Sequence, residues 1–233
     1  ELVLGIRSEP GTHRKQFSAN SGVQKKKSGN SKPTFSVQFD NGLCRHFKDG
    51  TGLNLRWNDQ HKQFYCFLNG QHAIERAEAW EQEQGTRVFI KNLMASSLAL
   101  DLNFADKISG VKTHVGQLEE LAKHSQDPAA VSELVRRSTE TVHSISYLRD
   151  CDFLMAVPAM PDKAYDLPRE LAKGIGLGTS KEDLTPKFVL EGKTQSAKAV
   201  EQSQKWDIWA SWSTRYTGPD LTGHRILLVD DKY

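Results

Sequence analysis

The residues Ile226-Leu227-Leu228-Val229-Asp230-Asp231 constrain this chain more than any other stretch. Four successive apolar residues followed by two acids suit a strand buried on both faces, which is the habit of parallel sheets. Phe153 to Val157 is a second run of the same kind. Between the two, Asp166 is placed to cap a helix in which Leu167, Leu171 and Ile175 share a face. Strands alternating with a helix predict a parallel α/β sheet over this part of the chain.

A buried parallel strand delivers its last residues to the carboxyl edge of the sheet, where open α/β folds bind ligands. Two adjacent carboxylates at that edge suit three tasks: gripping vicinal sugar hydroxyls, holding Mg²⁺, or accepting a phosphoryl group. The nucleotide-hydrolase reading needs a G-x-x-x-x-G-K-[ST] loop, and the Gly-rich stretch Gly174 to Lys181 does not supply one. That stretch also fails as G-x-G-x-x-G, because Thr179 stands where the third glycine belongs. A phosphoacceptor receiver domain would have to begin at this strand and lie almost wholly beyond Tyr233.

The front of the chain has a different grammar. Residues 1–72 carry eleven Lys and Arg against five Asp and Glu, within a net charge of only +2 for all 233 residues. Gly11 to Pro33 is rich in Gly, Ser, Asn and Lys, with Lys25-Lys26-Lys27 in its middle, and reads as a mobile arm. Phe35, Val37 and Phe39, then Asp40-Asn41-Gly42, then Leu43, Arg45 and Phe47 read as a hairpin closed by an Asn-Gly turn. A second hairpin is predicted from Leu53, Leu55 and Trp57 through Asn58 to His61 and back along Phe64 to Leu68. Gln71 to Gln84 reads as a helix stopped by Gly85, and Thr86 to Lys91 as a fifth strand closing a small α+β unit. Further on, Val111, Val115, Leu118 and Leu121 mark one helical stripe. Val131, Leu134, Val135, Val142, Ile145 and Leu148 mark another, opened by Asp127-Pro128 as cap and first turn.

Phe153-Leu154-Met155-Ala156-Val157-Pro158-Ala159-Met160-Pro161, the Leu167 helix and the Ile226 to Asp231 strand together resemble the type I phosphoribosyltransferases. Within these the likeness is to the ComF-like group, with its V-P-x-x strand end and L-L-V-D-D strand, and it covers residues 130–233. The resemblance implies a Rossmann-like parallel sheet of phosphoribosyltransferase type under a small hood, binding phosphoribosyl pyrophosphate together with Mg²⁺. Asp230 and Asp231 then match the acidic pair that accepts hydrogen bonds from the ribose 2′ and 3′ hydroxyls. The loop Ala159, Met160, Pro161, Asp162 and Lys163 matches the pyrophosphate-binding turn, and Lys193 and Thr194 fall near the family's mobile basic loop.

The chain departs from the group in three ways. Lys163-Ala164-Tyr165-Asp166-Leu167 stands where ComF-like proteins carry R-G-F-N-Q. Cys44, Cys66 and Cys151 form no C-x-x-C, so the group's cysteine zinc module is not seen here. The group's phosphate-binding T-G-x-T loop would begin after Tyr233, and the final strand is expected to lack its neighbours unless more chain follows.

The implied architecture is a basic α+β domain with an antiparallel β-meander over residues 1–105, then a phosphoribosyltransferase-like domain over 106–233. The implied function is transfer of the phosphoribosyl group to a nitrogen nucleophile with release of pyrophosphate. The alternative is a non-catalytic module in a DNA-processing, DNA-uptake or phage-defence assembly. Such a module would bind nucleic acid through Lys25, Lys26 and Lys27 beside Phe35, Phe39, Phe47, Trp57, Tyr65 and Phe67. Trp206, Trp209 and Trp212 read as packing residues, and the eight histidines show no zinc spacing. No stretch approaches the ~18 apolar residues of a membrane helix, so no membrane contact is expected; three scattered cysteines without a disulfide framework lead to the expectation of a reducing cytoplasm, with an oligomer compatible with the sequence.

Overall fold

The computed structural model describes residues 2–7, 22–24, 33–37, 41–60, 63–90, 96–106, 108–159, 163–191 and 213–231. Within them the protein is a mixed α/β structure. Its main sheet has six strands in the order β11-β10-β14-β1-β7-β6. These are β1 (Leu2–Arg7), β6 (Val88–Phe89), β7 (Ser96–Leu102), β10 (Phe153–Ala156), β11 (Glu182–Asp183) and β14 (Ile226–Val229). All neighbours are parallel except β6, which runs antiparallel to β7.

The two apolar runs lie side by side, with Phe153 to Ala156 pairing Ile226 to Val229 in register. Leu154, Ala156, Leu227 and Val229 are buried, as strands covered on both faces require. The final strand does not lack neighbours: β14 has β10 on one side and β1 on the other, Leu2 pairing Leu227 and Leu4 pairing Val229. The missing edge expected from the sequence is filled by residues from the opposite end of the chain. Strands on both sides of residue 105 thus share one sheet, and one buried cluster runs from Phe35 and Phe47 through Leu98 and Val115 to Leu154 and Val229.

A second sheet, β2-β3-β5-β4, is antiparallel and is built from β2 (Gly22–Gln24), β3 (Thr34–Val37), β4 (Arg56–Asn58) and β5 (Gln63–Phe67). The β4 and β5 pairing realises the second hairpin. The first hairpin is not formed. Asn41–Thr51 is instead a helix, α1, with Leu43 and Phe47 fully buried one turn apart and Arg45, Lys48 and Asp49 outside. The pattern Leu43, Arg45, Phe47 satisfies alternation and an i, i+4 spacing equally, and burial of His46 beside Phe47 shows that the helical period won. The helix stops at Gly52, whose φ of 69° closes the turn and lets its N–H donate to the Lys48 carbonyl at 2.7 Å. Gly22–Gln24, inside the expected arm, pairs with β3. The expected fifth strand narrows to Val88–Phe89 and joins the main sheet instead of closing the small one.

Helix α2 (Gln71–Glu83) buries Ala73, Ala77 and Trp80 against Phe35 and Phe47. The Val111 stripe divides. Val111–Lys112 is a strand, β9, paired with β8 (Phe104–Asp106), and the helix α3 begins at His114 with Thr113 as its cap. α4 (Pro128–Ser144) starts as predicted, the Asp127 carboxylate accepting from the Ala129 and Ala130 amides at 2.8 and 2.9 Å. A short helix α5 (Ser146–Arg149) leads into β10. The last long helix, α6 (Leu167–Thr179), joins β10 to β11 and buries Leu167, Leu171 and Ile175, as predicted.

The Gly-rich stretch from Gly174 lies inside α6 and has a packing role. A Cβ on Gly174 would come within 2.6 Å of Val135, and one on Gly178 within 2.9 Å of Thr139. Glycine costs a helix about 1 kcal/mol relative to alanine. Here it is what allows α6 to approach α4 closely enough for both to cover the sheet.

Candidate active site at the carboxyl edge

The carboxyl ends of β10 and β14 meet at Val157, whose amide donates to the Val229 carbonyl at 2.9 Å. One residue further, the chain turns so that the Asp231 amide donates to the Asp230 carboxylate at 2.8 Å. The backbone therefore holds the two acids as a unit at the end of a strand whose preceding residues are locked by neighbours on both sides. Burial pushes the Asp230 carboxyl up to about 6, and the negative charge of Asp231 adds to the shift.

Asp231 is only 7% exposed, and its charge is met by Lys123, whose ammonium bridges it to Glu119. Glu119 is itself 2% exposed, with its oxygen 3.4 Å from the Lys123 nitrogen. Burial works against the Lys123 charge, but Asp231 and Glu119 outweigh it and hold the ammonium above the usual lysine value. Lys123 lies in a π-turn, Leu121–Ser125, that interrupts the passage from α3 to α4. Such turns often reposition a side chain at functional sites, and this one sets its lysine against a strand 108 residues away in sequence.

Asp166, expected only as a helix cap, completes the cluster. It occupies the cap position without a side-chain hydrogen bond to the helix, and one of its oxygens is buried without a hydrogen-bond partner among the described residues. Burial raises its carboxyl above the ordinary value, Lys163 at 3.8 Å opposes that, and Asp231 reinforces it. The site thus holds four carboxylates, Glu119, Asp166, Asp230 and Asp231, around two ammonium groups, Lys123 and Lys163. Such a balance favours cations and hydroxyl donors over free anions.

Of the residues singled out from the sequence, Asp230, Asp231 and Lys163 take part in this cluster, and Ala159 lies half-buried just beyond the end of β10. Met160, Pro161, Asp162, Lys193, Thr194, Lys25, Lys26, Lys27 and the three tryptophans Trp206, Trp209 and Trp212 lie outside the described residues. Lys123 and Glu119 were missed. The one local signal was Glu119 sitting among Val115, Leu118 and Ala122, an acid on the apolar side of its helix.

Among the described residues no group of three or more His, Cys, Asp or Glu is arranged to hold a metal ion, and no helix is long and apolar enough to cross a membrane. The chain matches no known family model, no curated protein and no solved structure.

Proposed function

We propose that the protein binds phosphoribosyl pyrophosphate with Mg²⁺ at this edge and transfers the phosphoribosyl group to a nitrogen nucleophile. The observation that carries the reading is the adjacent Asp230 and Asp231 pair at the end of a parallel strand flanked on both sides. Both carboxylates accept hydrogen bonds when ionised, which fits the vicinal hydroxyls of a ribose. The C1′–oxygen bond breaks with its electron pair leaving on pyrophosphate, the nucleophile's lone pair forms the new C1′–nitrogen bond with inversion, and the nitrogen's proton passes to solvent. Charge from the acidic pair favours the cationic character that develops at C1′. Lys123 positions Asp231 by fixing its carboxylate from behind.

The donor set suits Mg²⁺ as a guest of the substrate. Magnesium is commonly held by one or two carboxylates together with substrate phosphates instead of by an all-protein cage, and Asp230 and Asp231 would supply the protein's share. When bound, it would neutralise charge on the departing pyrophosphate.

The test is the melting temperature with phosphoribosyl pyrophosphate and Mg²⁺ added together. An upward shift is expected, lost in Asp230→Asn with Asp231→Asn, and growing as pH rises through about 6, where Asp230 ionises. An unshifted wild-type protein, or a shift the double variant keeps, overturns the reading and leaves the chain as a non-catalytic binding module.

A further inference from the structure

Strand β5 places Cys66 and Leu68 in the core and turns Tyr65 and Phe67 the other way. Phe67, the last residue of the strand, is 52% exposed. The two rings stand 5.5 Å apart with planes at 85°, so one offers its face and the other its edge. Arg56 on β4 sits directly across from Tyr65. Together with Asn54, Asn69 and Gly52 these residues line a groove of about 400 Å³, and among the described residues no Asp or Glu lines it.

The cations at this groove are the second observation. Arg56 is exposed and makes no ion pair among the described residues. Arg76, on α2, brings its guanidinium within 3.4 Å of where a Cβ on Gly52 would lie, and its Nε is buried without a hydrogen-bond partner. Several other arginines are paired with acids, Arg45 with Asp49 and Asp150, and Arg136 and Arg137 with Glu133. One unpaired guanidinium in the groove and a second beside it, next to the exposed Phe67 ring and with no carboxylate among the described lining residues, fit a ligand carrying both phosphates and aromatic faces.

We propose that the groove beside Phe67 binds single-stranded nucleic acid, one base stacking on the Phe67 ring while Arg56 and Arg76 hold backbone phosphates. The perpendicular rings provide one stacking position and not a ladder. A duplex, whose base faces are already stacked, cannot use it. The asparagine amides at the rim can donate to or accept from a base edge. Stacking of this kind tolerates any sequence, so the site takes strands without strong sequence preference. The proposal is independent of phosphoribosyl pyrophosphate binding.

Fluorescence anisotropy with a labelled oligothymidylate reads it out directly, each variant first checked for an unchanged melting temperature. Saturable binding is expected for the wild-type protein, weakened about tenfold or more by Phe67→Ala. Arg56→Ala and Arg76→Ala should each flatten the dependence of log affinity on log salt by about 0.7. The proposal fails if the single strand does not bind, if all three variants bind as wild type, or if duplex of the same length binds as tightly. It fails also if thymidine monophosphate competes as well, per molecule, as the oligonucleotide, which would make the groove a nucleotide pocket. Loss of binding only when Lys25, Lys26 and Lys27 become alanine would place the contact outside the groove and overturn it equally.

Discussion

The carboxyl edge of the main sheet and the open face of the small sheet are both charged, but they handle charge in opposite ways. At the edge, Asp231 and Glu119 are almost fully buried and share one lysine, and Asp230 is held back from ionising. On the open face, Arg56 and Arg76 have no acidic partner among the described residues, and the adjoining rings face outward. Buried groups paired this tightly are positioned before any ligand arrives, so they suit chemistry that needs fixed geometry. Cations without acidic partners among the described residues, beside an exposed ring, suit a partner that supplies the missing charges itself. The same chain thus separates a tightly paired, buried charge cluster from a face whose guanidinium groups have no acidic partner among the described residues.

The sharpest way to break this comparison uses two phenylalanines of one small sheet and its helices. Phe47 is fully buried, stacked 4.2 Å from Phe35 and edge-on to Trp80 at 5.0 Å. Phe47→Ala should cost about 3–5 kcal/mol in a denaturant titration, the range for removing a core aromatic. Phe67→Ala, at a half-exposed position, should cost under about 1 kcal/mol. If the two cost the same, Phe67 belongs to the core and the open face is not a surface.

The next largest effect is at Lys123. Lys123→Met keeps the length and apolar stem but leaves Glu119 and Asp231 buried without their shared cation. Breaking a buried pair from one side costs about 3–5 kcal/mol, reduced to about 2–4 because the lysine itself is partly exposed. Arg56→Met, which removes an exposed cation without an ion pair among the described residues, should stay within about 0.5 kcal/mol. A Lys123 variant as stable as wild type would mean that the acids do not depend on the lysine, and that the edge is not preorganised by it.

Much of the main sheet was legible in the sequence, because its signals are local. The apolar runs at Phe153 and Ile226, the Leu167 stripe and the Asp127-Pro128 cap each declare themselves within a few residues. What failed were features decided at long range. Leu2–Arg7 becomes a central strand only because Leu227 and Ser96 lie beside Leu2, and nothing near residue 2 announces either partner. Leu43 and Phe47 went to a helix because Phe35 and Trp80 were there to receive one face of it. In the candidate site the acids could be read from the strand they end, whereas Lys123 could not, since a lysine four residues after a glutamate is an ordinary helix-surface pair until a distant strand meets it.

The effect at Asp230 is smaller than those at Phe47 and Lys123 and has the opposite sign. Asp230 has its carboxyl raised to about 6 in the fold, against an ordinary value near 4. The native state therefore binds a proton more tightly than the unfolded chain does, and this contribution to stability is complete below about pH 4 and is lost as pH rises through about 6. Asp230→Asn removes the ionisation altogether. It should stabilise the protein at pH 7 by about 1–3 kcal/mol, two pKa units at about 1.4 kcal/mol each being the upper bound. The gain over wild type should shrink to nothing near pH 4, which separates it from a simple packing improvement. The same variant should lose the melting shift with phosphoribosyl pyrophosphate and Mg²⁺ while leaving oligothymidylate binding unchanged. A residue whose charge opposes folding yet is needed for binding is under functional constraint, so an Asn variant that is less stable than wild type at pH 7 would remove the reason to regard the edge as strained for a purpose.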